Sequence, residues 1–143
     1  CIRDSISTSP ANPVVYDNTI PTVSSFVRTD AGNTSLTSLS DIRYTLTLSE
    51  PVSVATLTGS KLLNSGASGC VFTPTAQSPT TKTGQSYSGQ DTDYASVFII
   101  SVSSCAYGTI NPRLVANSLF DPSGNSGPAS TTSSSSAAIS YHS

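Results

Sequence analysis

A chain of 143 residues is long enough for one domain whose core buries about two-thirds of the unfolded surface, and too short for two. Charged residues make up only 10% of it, against ~25% in an ordinary soluble domain, so with a net charge of −2 its solubility rests on Ser and Thr hydroxyls. Six scattered Lys and Arg residues form no basic stripe for a phosphate backbone, and no apolar run reaches the ~18 residues of a spanning helix, which excludes nucleic acid as a partner and a helical membrane span.

In chain order, residues 1–16 read as a leader and 17–143 as the domain proper. Cys1 heads a chain with no Met, which points to a processed or excised product of a longer precursor. Cys1 is then the lipid-carrying residue of a lipoprotein, a fragment edge, or the partner of a neighbouring module. "NPVVYDN" (12–18) echoes "AAISYHS" (137–143), each with an apolar pair, a Tyr and small polar groups. Three explanations stay open: the leader is the last strand of a preceding module, it is a strand donated to a neighbouring copy, or the likeness is chance.

The periodicity that follows is that of strands, with turn residues every ten or so positions. "PTVSSFVRT" (21–29) predicts a first strand entered through Pro21, at an edge where a missing N–H costs nothing. "DIRYTLTLSE" (41–50) alternates cleanly, with Ile42, Tyr44, Leu46 and Leu48 facing a core and Arg43, Thr45, Thr47 and Ser49 facing water. "VSVATLTG" (52–59), "GCVFTPTA" (69–76) and "DYASVFIISVS" (93–103) predict the next three strands, the Val97 to Ile100 run suiting a central strand buried on both faces. "GTINPRLVA" (108–116) and "SAAISY" (136–141) complete a set of about seven. Seven short strands without helices predict an all-β, two-sheet sandwich, with a jelly roll or small barrel as alternatives.

Of the three cysteines, Cys70 and Cys105 lie in no CxxC and far from the single histidine, His142, so a zinc site has no ligand set. Laid antiparallel across the loop 77–93, the strands that carry them bring the two thiols together at one end of the ladder, within reach of a disulfide. Such a bridge implies an oxidising compartment. Two separate buried thiols are the alternative.

"DNTIPTV" at the entrance, "YTLTLSEPV", the cysteine pair in "GCVF" and "SSCAYGTI", and "LFDPSGNSGP" together resemble the immunoglobulin-like repeats of large bacterial surface proteins and adhesins. The resemblance spans about Tyr16 to Tyr141. It implies an immunoglobulin-like β-sandwich and a structural or adhesive module that is extracellular or on the cell surface. Its partners are then neighbouring copies or modules, with a host or neighbouring-cell glycan or protein as a further class. The Ser-rich run 130–136 and the long loop 77–93 depart from the compact pattern.

In a seven-strand sandwich of this kind the chain entrance and the loops after strands two, four and six share one end. That places Asp17 and Asn18, Glu50, Asp91 and Asp93, and Asp121 and Asn125 at one apex. Crowded carboxylates there raise one another's pKa or recruit a cation, and calcium suits them because it takes 6–8 oxygen ligands in flexible geometry. Asp17, Glu50, Asp121 and Asn125 are the expected ligands, with Asp91 and Asp93 in reserve. The competing reading is a plain Asp-Pro-Ser-Gly turn whose Asp121 and Asn125 only satisfy loop N–H groups.

Enzymatic readings find less support. His142 lies two residues from the chain end, where strands fray, and the chain has no Trp to form a sugar platform. Lys61 and Lys82 are not placed for an intramolecular amide in a first or last strand. "NTS" at Asn33 fits a glycosylation acceptor. Tyr87 and Tyr94, expected to be exposed in the long loop, are the hint of an alternative function, a carbohydrate- or protein-binding domain of a surface adhesin.

Overall fold

The computed structural model describes residues 17–30, 32–39, 42–81 and 93–143. The leader 1–16 with Cys1, and Lys82, Tyr87 and Asp91, lie outside the described residues. In chain order the strands are β1 Val23–Arg28, β2 Ser35–Leu36, β3 Arg43–Ser53, β4 Leu62–Asn64, β5 Val71–Ala76, β6 Thr80–Thr81, β7 Asp93–Ser104, β8 Gly108–Ile110, β9 Pro112–Leu114, β10 Leu119–Phe120, β11 Ser126–Gly127, β12 Thr132–Ser133 and β13 Ile139–Tyr141.

The chain is all-β, and its main element is a five-stranded antiparallel sheet, β1-β3-β7-β5, with β6 pairing the start of β7. The remaining strands make three smaller groups: β12-β9-β4, the hairpin β10-β11, and β2-β13-β8, in which β2 and β13 run parallel. Alternation along β3 does what its sequence demands, with Tyr44, Leu46 and Leu48 buried and Ile42 buried just before it. These side chains join Phe26, Phe72, Phe98, Ile100 and Val102 from the same sheet. Leu62, Ile110, Leu114, Leu119 and Ile139 from the short strands close over them in one apolar cluster. Burying a Leu, Ile or Phe side chain contributes roughly 1.5–3 kcal/mol each, so this cluster is the dominant favourable term of the fold.

Of the expected two-sheet, seven-strand arrangement the structure shows the all-β class and several antiparallel sheets; among the described residues, the strands outside the main sheet fall into three short groups. Two local causes are visible. "GTINPRLVA" splits into β8 and β9 at Asn111, whose N–H donates to Asn64 Oδ1 at 2.7 Å and whose carbonyl accepts from Ser65 at 3.1 Å, so Asn111 turns the chain from one sheet into another. "VSVATLTG" is not a strand of its own. Val52 and Ser53 end β3, and the chain then winds through short 3₁₀ turns, Val54–Thr56 and Gly59–Lys61.

Strand β7 is central, paired on both sides, but only one of its faces is fully buried. Phe98 and Ile100 point into the core while Val97 and Ile99 are half-buried. Tyr94, expected in an exposed loop, lies on β7 opposite Ser53 and is 1% exposed. The Ser-rich run also has a structural task. Ser135 N–H donates to Phe26 O at 2.9 Å and Ser136 Oγ accepts from Arg28 N–H at 2.6 Å, so the run covers the open edge of β1 with a backbone N–H and a hydroxyl.

Candidate functional site

Asp17, Glu50 and Asp121 come from three distant parts of the chain and meet: one oxygen from each lies within 4.8 Å of the others. Each is delivered differently. Asp17 stands in the entrance segment before β1, its Oδ1 accepting the Thr19 N–H at 2.9 Å in a local turn. Glu50 rides on a bulge. Between Thr47, opposite Val97, and Val52, opposite Ala95, β3 advances five residues while β7 advances two, and the three extra residues push out of the ladder. Pro51 suits that bulge because it has no N–H to leave unpaired.

Asp121 anchors the third segment and is 0% exposed. Its carbonyl accepts Gly124 N–H at 3.0 Å, closing a tight turn with Pro122 at the second position and Gly124 at a φ of 88°, a conformation glycine adopts without strain. Its carboxylate is organised by the same loop: Oδ1 accepts the N–H groups of Ser123 (2.9 Å) and Asn125 (2.8 Å), and Oδ2 accepts Asn125 Nδ2 at 2.9 Å. Asp121 thus satisfies the N–H groups of the turn and also faces Asp17 and Glu50.

Asn125 reaches the cluster through its nitrogen. Nδ2 donates to Asp121 and to the Asp17 carbonyl, each at 2.9 Å, so the amide clamps the entrance segment to the loop and presents its donor side there. A second clamp joins the entrance to the bulge, with Thr22 N–H on Ser49 Oγ at 2.9 Å and Ser49 N–H on Thr22 O at 2.8 Å. Gly127 makes the close approach possible, since a Cβ there would lie 2.1 Å from the Pro21 carbonyl oxygen. Asp93 starts β7 and stands outside the group of three.

The electrostatics follow from this crowding. Burial, then the charges of Asp121 and Asp17, then a hydrogen bond to Asp121 that needs the Glu50 proton, push the Glu50 pKa up to about 7 from 4.5. Around neutral pH the cluster therefore retains a proton for part of the time. A metal ion can take the place of that proton, and the three carboxylates are arranged so that they could hold one.

Elsewhere, Cys70 and Cys105 form a disulfide, 35 residues apart in sequence, just past the β5-β7 ladder where Val71 faces Ser104. The oxidised pair suits a non-reducing setting. No helix among the described residues is long and apolar enough to cross a membrane.

His142 does not behave as a frayed end. Its N–H donates to Leu36 O at 2.9 Å, and its Nε2 lies 2.8 Å from Ser35 Oγ. The sequence carried no sign of this pair, which forms only because β13 lies parallel to β2. It is exposed, and its Nδ1 faces the Ser143 carbonyl at 3.2 Å. Comparison with protein-family models, with curated proteins and with solved structures returns no match.

Proposed function

We propose that this chain is a structural or adhesive immunoglobulin-like module of an extracellular surface protein or self-assembling fibre, stiffened at its entrance by a calcium ion on Asp17, Glu50 and Asp121. The observation that supports this reading is the meeting of those three carboxylates from the entrance, a strand bulge and a turn, within 4.8 Å. A divalent cation there neutralises mutual repulsion and ties the segment that precedes β1 to the body of the domain. Calcium is favoured over magnesium because the cluster is asymmetric, mixes buried and half-buried oxygens, and asks for flexible coordination.

The position of Asp17 gives the ion a mechanical role. Whatever precedes the domain enters through residue 17, so fixing that residue fixes the angle at which a preceding module or donated strand leaves. The disulfide reinforces the domain near the other end of β7, in keeping with an oxidising, extracellular location. Neighbouring modules or copies of the same protein are the expected partners. Calorimetry of metal-stripped protein with calcium tests the reading. Binding with a rise in melting temperature is expected, and the absence of both at millimolar calcium removes the ion and the stiffened joint together.

A further inference from the structure

We infer that a second site, separate from the acidic cluster, binds a carboxylate-bearing sugar unit through Arg113. Strand β9 is the middle strand of its small sheet, and its pattern sets Arg113 apart: Pro112 and Leu114 are buried in the core, so Arg113 stands on the outer face between Leu63 on β4 and Ser133 on β12. There it lines a cavity of about 270 Å³ together with Leu63, Asn64, Ser68, Gly69 and Cys70. Its Nε is shut off from solvent and has no hydrogen-bond acceptor among the described residues. An unpaired guanidinium N–H is unfavourable, so a ligand in the cavity that draws the Arg113 side chain toward it gives that N–H the acceptor it lacks. Arg28, by contrast, is satisfied by Asp30, with Nη2 at 2.9 Å from Oδ2.

The walls are held before any ligand arrives. Asn64 Nδ2 donates to Ala67 O and Thr109 O, both at 2.9 Å. Ala67 N–H donates to Thr109 O at 2.8 Å and Ala106 N–H to Ser68 O at 2.9 Å, while Cys70 is locked to Cys105. A rigid wall lowers the ordering cost of binding.

The chemistry of the lining narrows the ligand. One cation in the cavity matches one negative charge, and the planar fork of a guanidinium matches a carboxylate in two parallel hydrogen bonds, whereas a phosphate dianion would keep an uncompensated charge. Exposed Ser68 offers a polar contact beside the exposed Leu63, a mixture that suits the hydroxyls and the C–H face of one sugar ring. The volume lies at the small end of ligand cavities, room for a single ring.

Titration of the full chain with glucuronic acid, glucose and acetate, followed by NMR or calorimetry, tests the site. Glucuronate is expected to bind with a Kd of about a millimolar or tighter, and glucose to be silent at about 20 mM. Arg113→Ala should weaken glucuronate at least ~10-fold and Arg113→Lys, which keeps the charge but loses the fork, by a smaller factor. Arg43→Gln, which removes a guanidinium from the exposed face of β3 away from both sites, should leave glucuronate binding unchanged, which separates recognition at Arg113 from general charge attraction. If Arg113→Ala fails to fold by circular dichroism, Arg113→Gln replaces it. The inference is overturned if glucuronate is silent at about 20 mM, if the neutral variants bind it as tightly as the parent, or if acetate binds equally well so that only charge is read.

Discussion

Glu50→Gln should make the metal-free protein more stable at pH 8 and the calcium-loaded protein less stable, so that the two melting curves exchange order. Glutamine mimics the protonated side chain and removes one charge from a cluster whose oxygens lie within 4.8 Å, where each like-charge pair costs about 1 kcal/mol at water-like dielectric. Glu50 faces two such neighbours. With screening by solvent around the half-buried Glu50 and Asp17, the net relief is about 1 kcal/mol, or roughly 3–4 °C for a chain of this size. The pH dependence has a definite sign. Glu50 holds its proton more tightly in the fold (pKa about 7) than its ordinary 4.5, so its contribution is fully present below about pH 4.5 and is lost as pH rises through 7. The parent should therefore lose stability across that window, and the variant should not. Calcium acts the other way. At about 10 mM, with a Kd near 0.1 mM, binding stabilises the parent by ~2.7 kcal/mol, or about 8–10 °C, and the variant by much less. Differential scanning calorimetry at pH 5 and pH 8, with chelator and with calcium, reads all four states. A metal-free variant that melts below the parent at pH 8, or one that gains the same calcium shift, refutes the reasoning.

Asp121→Asn should abolish calcium binding and cost about 1–3 kcal/mol in urea unfolding, because an amide nitrogen then opposes Asn125 Nδ2 in a buried position. Gly127→Ala places a Cβ against the Pro21 carbonyl at 2.1 Å, so the entrance must shift; calcium affinity should fall although no ligand is altered, and titration calorimetry measures it. Removing the disulfide as Cys70→Ala with Cys105→Ala, a pair 35 residues apart, should destabilise the fold by about 4 kcal/mol on the chain-entropy account. Chemical denaturation checks that figure, and a loss below about 1 kcal/mol contradicts the account.

Much of this protein is local information that the amino-acid order carries by itself. The alternation of Ile42, Tyr44, Leu46 and Leu48 determines both the strand and its buried face, because side chains on a strand switch sides every residue whatever lies opposite. The pairing of Cys70 with Cys105 was legible for the same reason, through two β-prone runs joined by a loop. The meeting of Asp17, Glu50 and Asp121 was expected from an assumed sandwich topology and not from local order, since the three acids lie far apart in the chain. The means of that meeting was not legible: Glu50 does not end its strand but sits in a bulge of β3, and a bulge is defined only by the residues of β7 that it skips. Tyr94 looked like loop and is core, His142 looked loose and is held by Leu36 and Ser35, and the serines of 130–136, which departed from the compact pattern, cover the edge of β1. In each case the deciding contact joins residues far apart in sequence. Chain order sets which face of a strand is apolar, but only the packed structure sets which backbone groups remain to be satisfied and which side chains end beside them.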